Sequence, residues 1–201
     1  MNGSSARPDI VAVGASAGGF DALCTVISRL PSSFAIPVAI VQHRGKESEA
    51  LASLLQDCTP LRVLEVEDKQ PLEPATIYVA PPDYHMLVDE DAFALSTEGP
   101  VRYSRPSIDV FFESVADVYG PRAIGVVLTG ANADGAKGLK RIVLHGGEAL
   151  IQDPATAEVR VMPARAQQEV ERAQILTLEQ IAAELITRDR PGRPAQARRS
   201  L

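Results

Sequence analysis

The sequence predicts an α/β protein with a largely parallel sheet covered by helices on both faces. Three observations point there. Short β-branched runs alternate with amphipathic helical segments, the pattern of repeated strand–helix–strand units. The chain has 201 residues, 45% of them hydrophobic and 23% charged, which suits one domain with a substantial core. No internal linker interrupts the alternation, so a single body is expected over residues 9–187, between a short extension at 1–8 and a tail at 188–201.

The elements follow in order. Residues 9–13 (DIVAV) form the first strand, closed by Gly14. A helix follows over 20–30, where Phe20, Leu23, Ile27 and Leu30 recur at helical spacing and Pro31 stands just past the end. Residues 38–41 make a second strand leading into Gln42 and His43, and Ser48 is placed to cap a helix over 49–57. Four short strands come next, at 62–67, 76–80, 85–88 and 93–96. The last two are joined through Asp89-Glu90-Asp91 as a tight hairpin, and the group reads as an antiparallel excursion at one sheet edge. Alternation then resumes with a helix over 107–118 that turns Ile108, Phe111, Phe112 and Val115 inward. A buried strand at 123–128, a helix at 136–145, a strand at 148–152 and a closing helix at 178–186 complete the pattern.

Charge and composition narrow the function classes. The net charge of −6 divides into −10 before residue 188 and +4 in the arginine-rich segment 188–200, which reads as a disordered basic tail. An acidic body with few aromatic residues argues against a nucleic-acid surface. No apolar run approaches the ~20 residues that cross a bilayer, and no signal-type apolar stretch opens the chain, so a cytoplasmic protein without membrane insertion is expected. Cys24 and Cys58 form no CxxC pair, so neither a thiolate metal site nor a disulfide is expected. Three scattered histidines without HxxxH or HExxH spacing give no zinc site.

Ligands of open parallel sheets gather in the loops beyond the carboxyl ends of the strands. Three such loops stand out: Gly14–Gly19 after the first strand, Gln42-His43 after the second, and Thr129–Gly135 after the strand at 123–128. The first loop reads two ways. As G-x-S-x-x-G it resembles a dinucleotide fingerprint, but that motif needs an acidic residue at the end of the second strand, where Gln42-His43 stand instead. As G-x-S-x-G it presents Ser16 on a sharp strand-to-helix turn. A serine hydroxyl needs a base, which His43 is placed to be, and the base needs an orienting carboxylate, for which Asp134 is the best candidate. Each residue also has an ordinary reading: Ser16 as a helix cap, His43 as a satisfied structural side chain, Asp134 as a turn residue. His85, His145 and Asp109 read as structural, Asp109 complementing the dipole of its helix and His145 that of the helix it ends.

The segments VAVGASAGGFDAL, AIVQH, SRPSIDVFF, AIGVVLTGANADGAKGL, HGGEALIQDPATA and VMPARA, in that order, resemble the catalytic domain of the chemotaxis receptor methylesterases, the CheB-type protein-glutamate methylesterase/protein-glutamine glutaminases. The resemblance spans residues 9–187. It implies a three-layer α/β/α domain, doubly wound, with a small antiparallel hairpin. It implies Ser16 as nucleophile, His43 as base and Asp134 as orienting carboxylate, without metal or organic cofactor. The implied substrate is a methylated chemoreceptor, with a separate methyltransferase or receiver protein as further partner. Backbone N–H groups near Ala17 and in the loop of Ala131 and Asn132 are the implied oxyanion donors. From the charge pattern, an acidic body gains no long-range steering toward an acidic receptor, so local docking through exposed arginines near the cleft, Arg44 or Arg105, is expected.

Several positions depart from the family pattern. Ala17 stands where threonine is commonest, and TGANADG replaces TGMGNDG, changing three residues at Ala131, Asn132 and Ala133 while keeping Asp134. Val161 replaces the glycine that usually precedes Met-Pro. Only eight residues precede Asp9, where the usual architecture has a receiver domain, so the expected form is stand-alone with regulation from elsewhere. The alternative is a non-catalytic signalling module that uses the same cleft to bind a receptor or a methyltransferase.

Overall fold

The computed structural model describes residues 8–44, 51–101 and 103–189. In chain order the strands are β1 (Ile10–Ala15), β2 (Val38–Gln42), β3 (Arg62–Glu65), β4 (Thr76–Val79), β5 (His85–Asp89), β6 (Ala92–Ser96), β7 (Ala123–Val127), β8 (Glu148–Gln152) and β9 (Gln174–Leu176). The helices are α1 (Gly19–Ile27), α2 (Leu51–Gln56), α3 (Ile108–Tyr119), α4 (Ala136–Leu144), α5 (Val161–Glu169) and α6 (Leu178–Asp189). Seven strands form one sheet in the order β3-β4-β2-β1-β7-β8-β9, each neighbouring pair parallel. β5 and β6 form a separate antiparallel pair.

Side chains of a strand alternate between faces, and β1 shows what that does here. Ile10 and Ala12 enter the core built with α3, α4, α5 and the hairpin, while Val11, Val13 and Ala15 enter the core built with α1, α2 and α6. A strand covered on both sides has no wet face, which is why all six residues of β1 are buried. Phe111 and Phe112 are fully buried in the first core. Truncating either to alanine is expected to cost about 3–5 kcal/mol. The layers are therefore helix, sheet and helix, the doubly wound arrangement expected from the sequence.

Four expectations need correction. Residues 62–65 and 76–79 are not part of an antiparallel excursion; β3 and β4 run parallel in the main sheet, and only β5–β6 is antiparallel. The connection between them, residues 66–75, is short for a parallel crossover, which favours the antiparallel reading when pattern alone is used. The hairpin β5–β6 is a separate two-stranded sheet whose Met86, Val88 and Phe93 pack into the core of α3. Second, Cys24 and Cys58 are joined in a disulfide. Periodicity reports which face of its own helix a cysteine takes, but not that α1 and the end of α2 meet over the same face of the sheet.

Third, α6 continues to Asp189. Arg188, counted with the tail, pairs with Glu148 and Glu184, and the Asp189 carboxylate accepts from the N–H groups of Ala35 and Ile36. Fourth, α5 and β9 are additions that the sequence pattern does not predict. α5 buries only Met162, Pro163 and Ala166, too thin a stripe to read from pattern, and β9 has three residues. Pro163 sits in the first turn of α5, where its missing N–H has no intrahelical partner to lose. Ser48 as a helix cap and the tail beyond residue 189 lie outside the described residues.

Candidate active site

The sheet order reverses beside β1: the chain passes from β1 to β2 on one side and returns as β7 on the other. Such a switch point opens a crevice at the carboxyl ends of the strands. The register pairs Ala15 with Gln42, so Ser16 and His43 leave adjacent strands side by side. The His43 N–H donates to the Ala15 carbonyl at 3.0 Å. On the other flank the Ser16 N–H donates to the Thr129 carbonyl at 3.0 Å, which ties the loop after β1 to the loop after β7. The Gln42 amide Nε2 donates to the Ser16 carbonyl at 2.7 Å.

The turn after β1 is tight for steric reasons. Gly18 has φ +72, a left-handed conformation that side chains rarely adopt, and a Cβ there would also strike Glu158. Gly130 packs against Ser16: a Cβ on it would lie 2.9 Å from the Ser16 Cβ and 2.6 Å from the Met162 Cε. Met162, fully buried on α5, thus forms the back wall of the serine loop.

Asp134 is 1% exposed, and its carboxylate has five donors. Oδ2 accepts from His43 Nε2 at 2.9 Å and from the Ile108 N–H at 2.7 Å. Oδ1 accepts from the Ser107 hydroxyl and the Asp109 N–H, both at 3.0 Å, and from the Gly135 N–H at 3.1 Å. Ile108 and Asp109 open α3, so the carboxylate occupies the N-terminus of that helix, where unpaired N–H groups and the helix dipole favour an anion. Burial pushes the Asp134 carboxyl up, but the hydrogen bond from His43 and those from the Asp109 and Ile108 backbone outweigh it, leaving the group below its usual range.

With Nε2–H directed at Asp134, the imidazole carries its lone pair on Nδ1. The Asn132 amide Nδ2 lies 3.3 Å from Nδ1, while the Asn132 Oδ1 accepts from the Asp134 N–H at 3.0 Å. His43 and Asp134 are therefore brought into contact. Ser16 lies beside them at the strand end, and among the described residues its hydroxyl makes no hydrogen bond.

The remaining expected site residues divide. The N–H groups of Ala17 and Ala131 have no protein acceptor among the described residues. Arg105, expected as a substrate contact, instead braces its own loop: Nε and Nη2 donate to Asp83, and Nη1 donates to the Thr97 and Glu98 carbonyls. Arg44, expected to be exposed, has only 6% of its side chain accessible and pairs with Glu65. Both guanidiniums sit near acidic side chains, which the charge pattern of the sequence does not reveal.

Sequence reasoning misses several supporting residues. Ser107 caps α3, accepting from the Val110 N–H while donating to Asp134. A serine just before an apolar-periodic run is the available signal. Its own N–H donates to His85 Nδ1 at 3.1 Å, and His85 Nε2 donates to the Gly99 carbonyl at 3.2 Å. Asp109 does more than complement a dipole: its Oδ1 accepts from the N–H groups of Gly135 and Gly138, clasping the start of α4. Thr129 donates to the Ala17 carbonyl, and its own N–H is held by Gln152. No signal in one sequence marks these last contacts. Among the described residues no cluster of three or more His, Cys, Asp or Glu side chains is arranged to hold a metal.

The family model for CheB methylesterase matches residues 11–185. The chain belongs to the CheB methylesterase family. The solved structure of the Thermotoga maritima CheB methylesterase catalytic domain superposes with a TM-score of 0.86 at 31% identity, covering 90% of this chain and 98% of that one. A relative from Leptospira interrogans serovar Lai, provisionally named protein-glutamate methylesterase/protein-glutamine glutaminase, is 43% identical over 183 residues, 90% of this chain and 95% of its own length. The protein-glutamate methylesterase FrzG of Myxococcus xanthus is 40% identical over 179 residues, and the match covers 88% of this chain but 54% of FrzG. This CheB methylesterase-family chain thus spans nearly all of one relative and about half of another. Membership makes it a hydrolase of the methylesterase class.

Proposed function

We propose that the chain hydrolyses glutamate γ-methyl esters on a chemoreceptor or similar signalling protein, with Ser16 as nucleophile, His43 as base and Asp134 as orienting carboxylate. The observation that carries this reading is the 2.9 Å contact between His43 Nε2 and the buried Asp134, beside Ser16 at adjoining strand ends. That contact leaves Nδ1 as the basic nitrogen, the atom that takes the Ser16 proton.

The steps follow from this assignment. Ser16 Oγ attacks the ester carbonyl carbon and its proton passes to His43 Nδ1. The tetrahedral oxyanion is met by the N–H groups of Ala17 and Ala131; one such donor is typically worth ~10²–10³ in rate. The intermediate expels the methoxy oxygen, which takes the proton from Nδ1 and departs as methanol. Water then attacks the acyl-serine, gives a proton to Nδ1, and releases glutamate as Ser16 recovers its proton. A glutamine side chain enters the same path with ammonia as the leaving group. Asp134 keeps the ring oriented and stabilises the imidazolium in both halves. No step calls for a metal or an organic cofactor.

A free-enzyme gap between nucleophile and base is compatible with this chemistry, since such hydrogen bonds commonly tighten only when substrate is bound. No helix among the described residues is long and apolar enough to cross a membrane. We place the protein in the cytoplasm, acting on receptor segments exposed there. The test is methanol release from a methylated receptor fragment. Wild-type protein is expected to release methanol and Ser16→Ala to lose at least about 10³-fold in rate. Full activity in Ser16→Ala would overturn the assignment.

A further inference from the structure

Resting on the proposed esterase reading, we infer that Tyr103 is a specificity-determining residue, which makes the site prefer an ester carried on a polypeptide over a small free ester. Tyr103 is fully exposed, at 102% of its reference area, the most exposed large hydrophobic side chain among the described residues. Its φ is +67, in the left-handed region, where a bulky aromatic residue is a steric outlier. Gly or Asn would serve that turn with less strain. A conformation that is costly locally, and that leaves the ring exposed, is characteristic of a residue that serves something outside the fold.

The position is not a floppy loop tip. Val101 and Ser104, on either side of it in the chain, exchange both backbone hydrogen bonds, at 3.1 and 2.9 Å. Arg105 fastens the segment to Asp83 and to the carbonyls of Thr97 and Glu98, and His85 fastens Gly99. The loop is thus braced from three sides while its aromatic ring stays in solvent.

The loop borders the cavity that His43 lines. Tyr103, Ser104, Arg105 and Pro106 line one cavity with His43 and Arg44, of about 460 Å³. That volume is several times what a glutamyl ester side chain fills, so room remains for the backbone and neighbouring side chains of the segment that carries it. With both arginines in ion pairs, the Tyr103 ring is the group of that wall best suited to bind by burying apolar area.

The test uses the full chain and two substrates: a synthetic helical peptide bearing one glutamate γ-methyl ester, and p-nitrophenyl acetate. Tyr103→Gly and Tyr103→Ala are expected to raise KM for the peptide tenfold or more, while kcat/KM for p-nitrophenyl acetate stays within twofold. Tyr103→Phe, which keeps the ring, is expected to stay within twofold on both. Tyr103→Gly is also expected to match or exceed the wild-type Tm, because it relieves the backbone. An unchanged peptide KM in both truncations, or equal losses on both substrates, would overturn the inference. The same pair of variants in the Ser16→Ala background, read as binding of the fluorescently labelled peptide, separates the two claims. Tenfold weaker binding there supports the role of Tyr103 even if no turnover is detected, and unchanged binding overturns it.

Discussion

Asp109 and Asp134 lie side by side in the interior and share one donor: the Gly135 N–H points at Oδ1 of both, at 2.9 and 3.1 Å. Two buried carboxylates so close repel unless each is richly hydrogen-bonded. Asp134 draws its donors from His43 and the start of α3, Asp109 from the start of α4. The pair therefore joins two helix N-termini and His43 in one polar cluster. Asp109→Ala leaves the Gly138 N–H without its acceptor and is expected to cost about 1–3 kcal/mol, read by urea denaturation. Activity should fall with it, since the Asp134 loop loses its anchor. Unchanged stability would mean that the clasp contributes nothing.

Asp134→Asn tests orientation separately from folding. An amide NH2 facing His43 Nε2 forces that nitrogen to accept, which moves the ring proton to Nδ1, the atom required to be basic. A fall in kcat on the order of 10⁴ is expected for the methyl ester, with the circular dichroism spectrum unchanged. A loss below tenfold would show that the carboxylate does not govern the tautomer.

How much is legible in the sequence turns on which residues speak locally. Ser16, His43 and Asp134 stand out because each lies in a loop that follows a buried run, Ser16 and Asp134 among small residues. The parallel register then does the rest, since Ala15 opposite Gln42 sets Ser16 beside His43. Charge alone suggests exposure for Arg105 and Arg44, whereas both are ion-paired, with Asp83 and Glu65 arriving from distant segments. Ser107 and Gln42 act through contacts 26 or more residues apart, at 3.0 and 2.7 Å, which no local period encodes.

Acid should destabilise the protein through Asp134. Its folded pKa lies below the unfolded value, so the stabilisation is present above the ordinary aspartate range and is lost as pH falls through the lower folded value. Urea midpoints measured from neutral pH downward should decline in the wild type. Asp134→Asn should show a shallower decline over the same range, and parallel curves would contradict this.

The Cys24–Cys58 bond closes a loop with a separation of 34 residues and packs with the layer of α1 and α2. Reduction should lower stability by roughly 3–4 kcal/mol by the loop-entropy argument, and Cys24→Ala should mimic it. Thermal melts with and without a thiol reductant would show the difference, and coincident melts would sink the prediction. In a compartment that keeps thiols reduced, the same two sulfurs would stand as neighbouring free thiols.

The seat of Asp134 at the start of α3 has one last consequence. Among the described residues the Asp134 carboxylate is held by backbone N–H groups, the Ser107 hydroxyl and His43 rather than by a lysine or arginine, and the backbone groups do not titrate or exchange counterions. When His43 gains a proton, its positive charge lies 2.9 Å from the buried Asp134 carboxylate, a contact that dissolved ions, which screen exposed charges over ~10 Å, reach poorly. The chemical step should therefore run at nearly the same rate in dilute and in concentrated salt, and whatever ionic-strength dependence the protein shows belongs to how it meets its substrate.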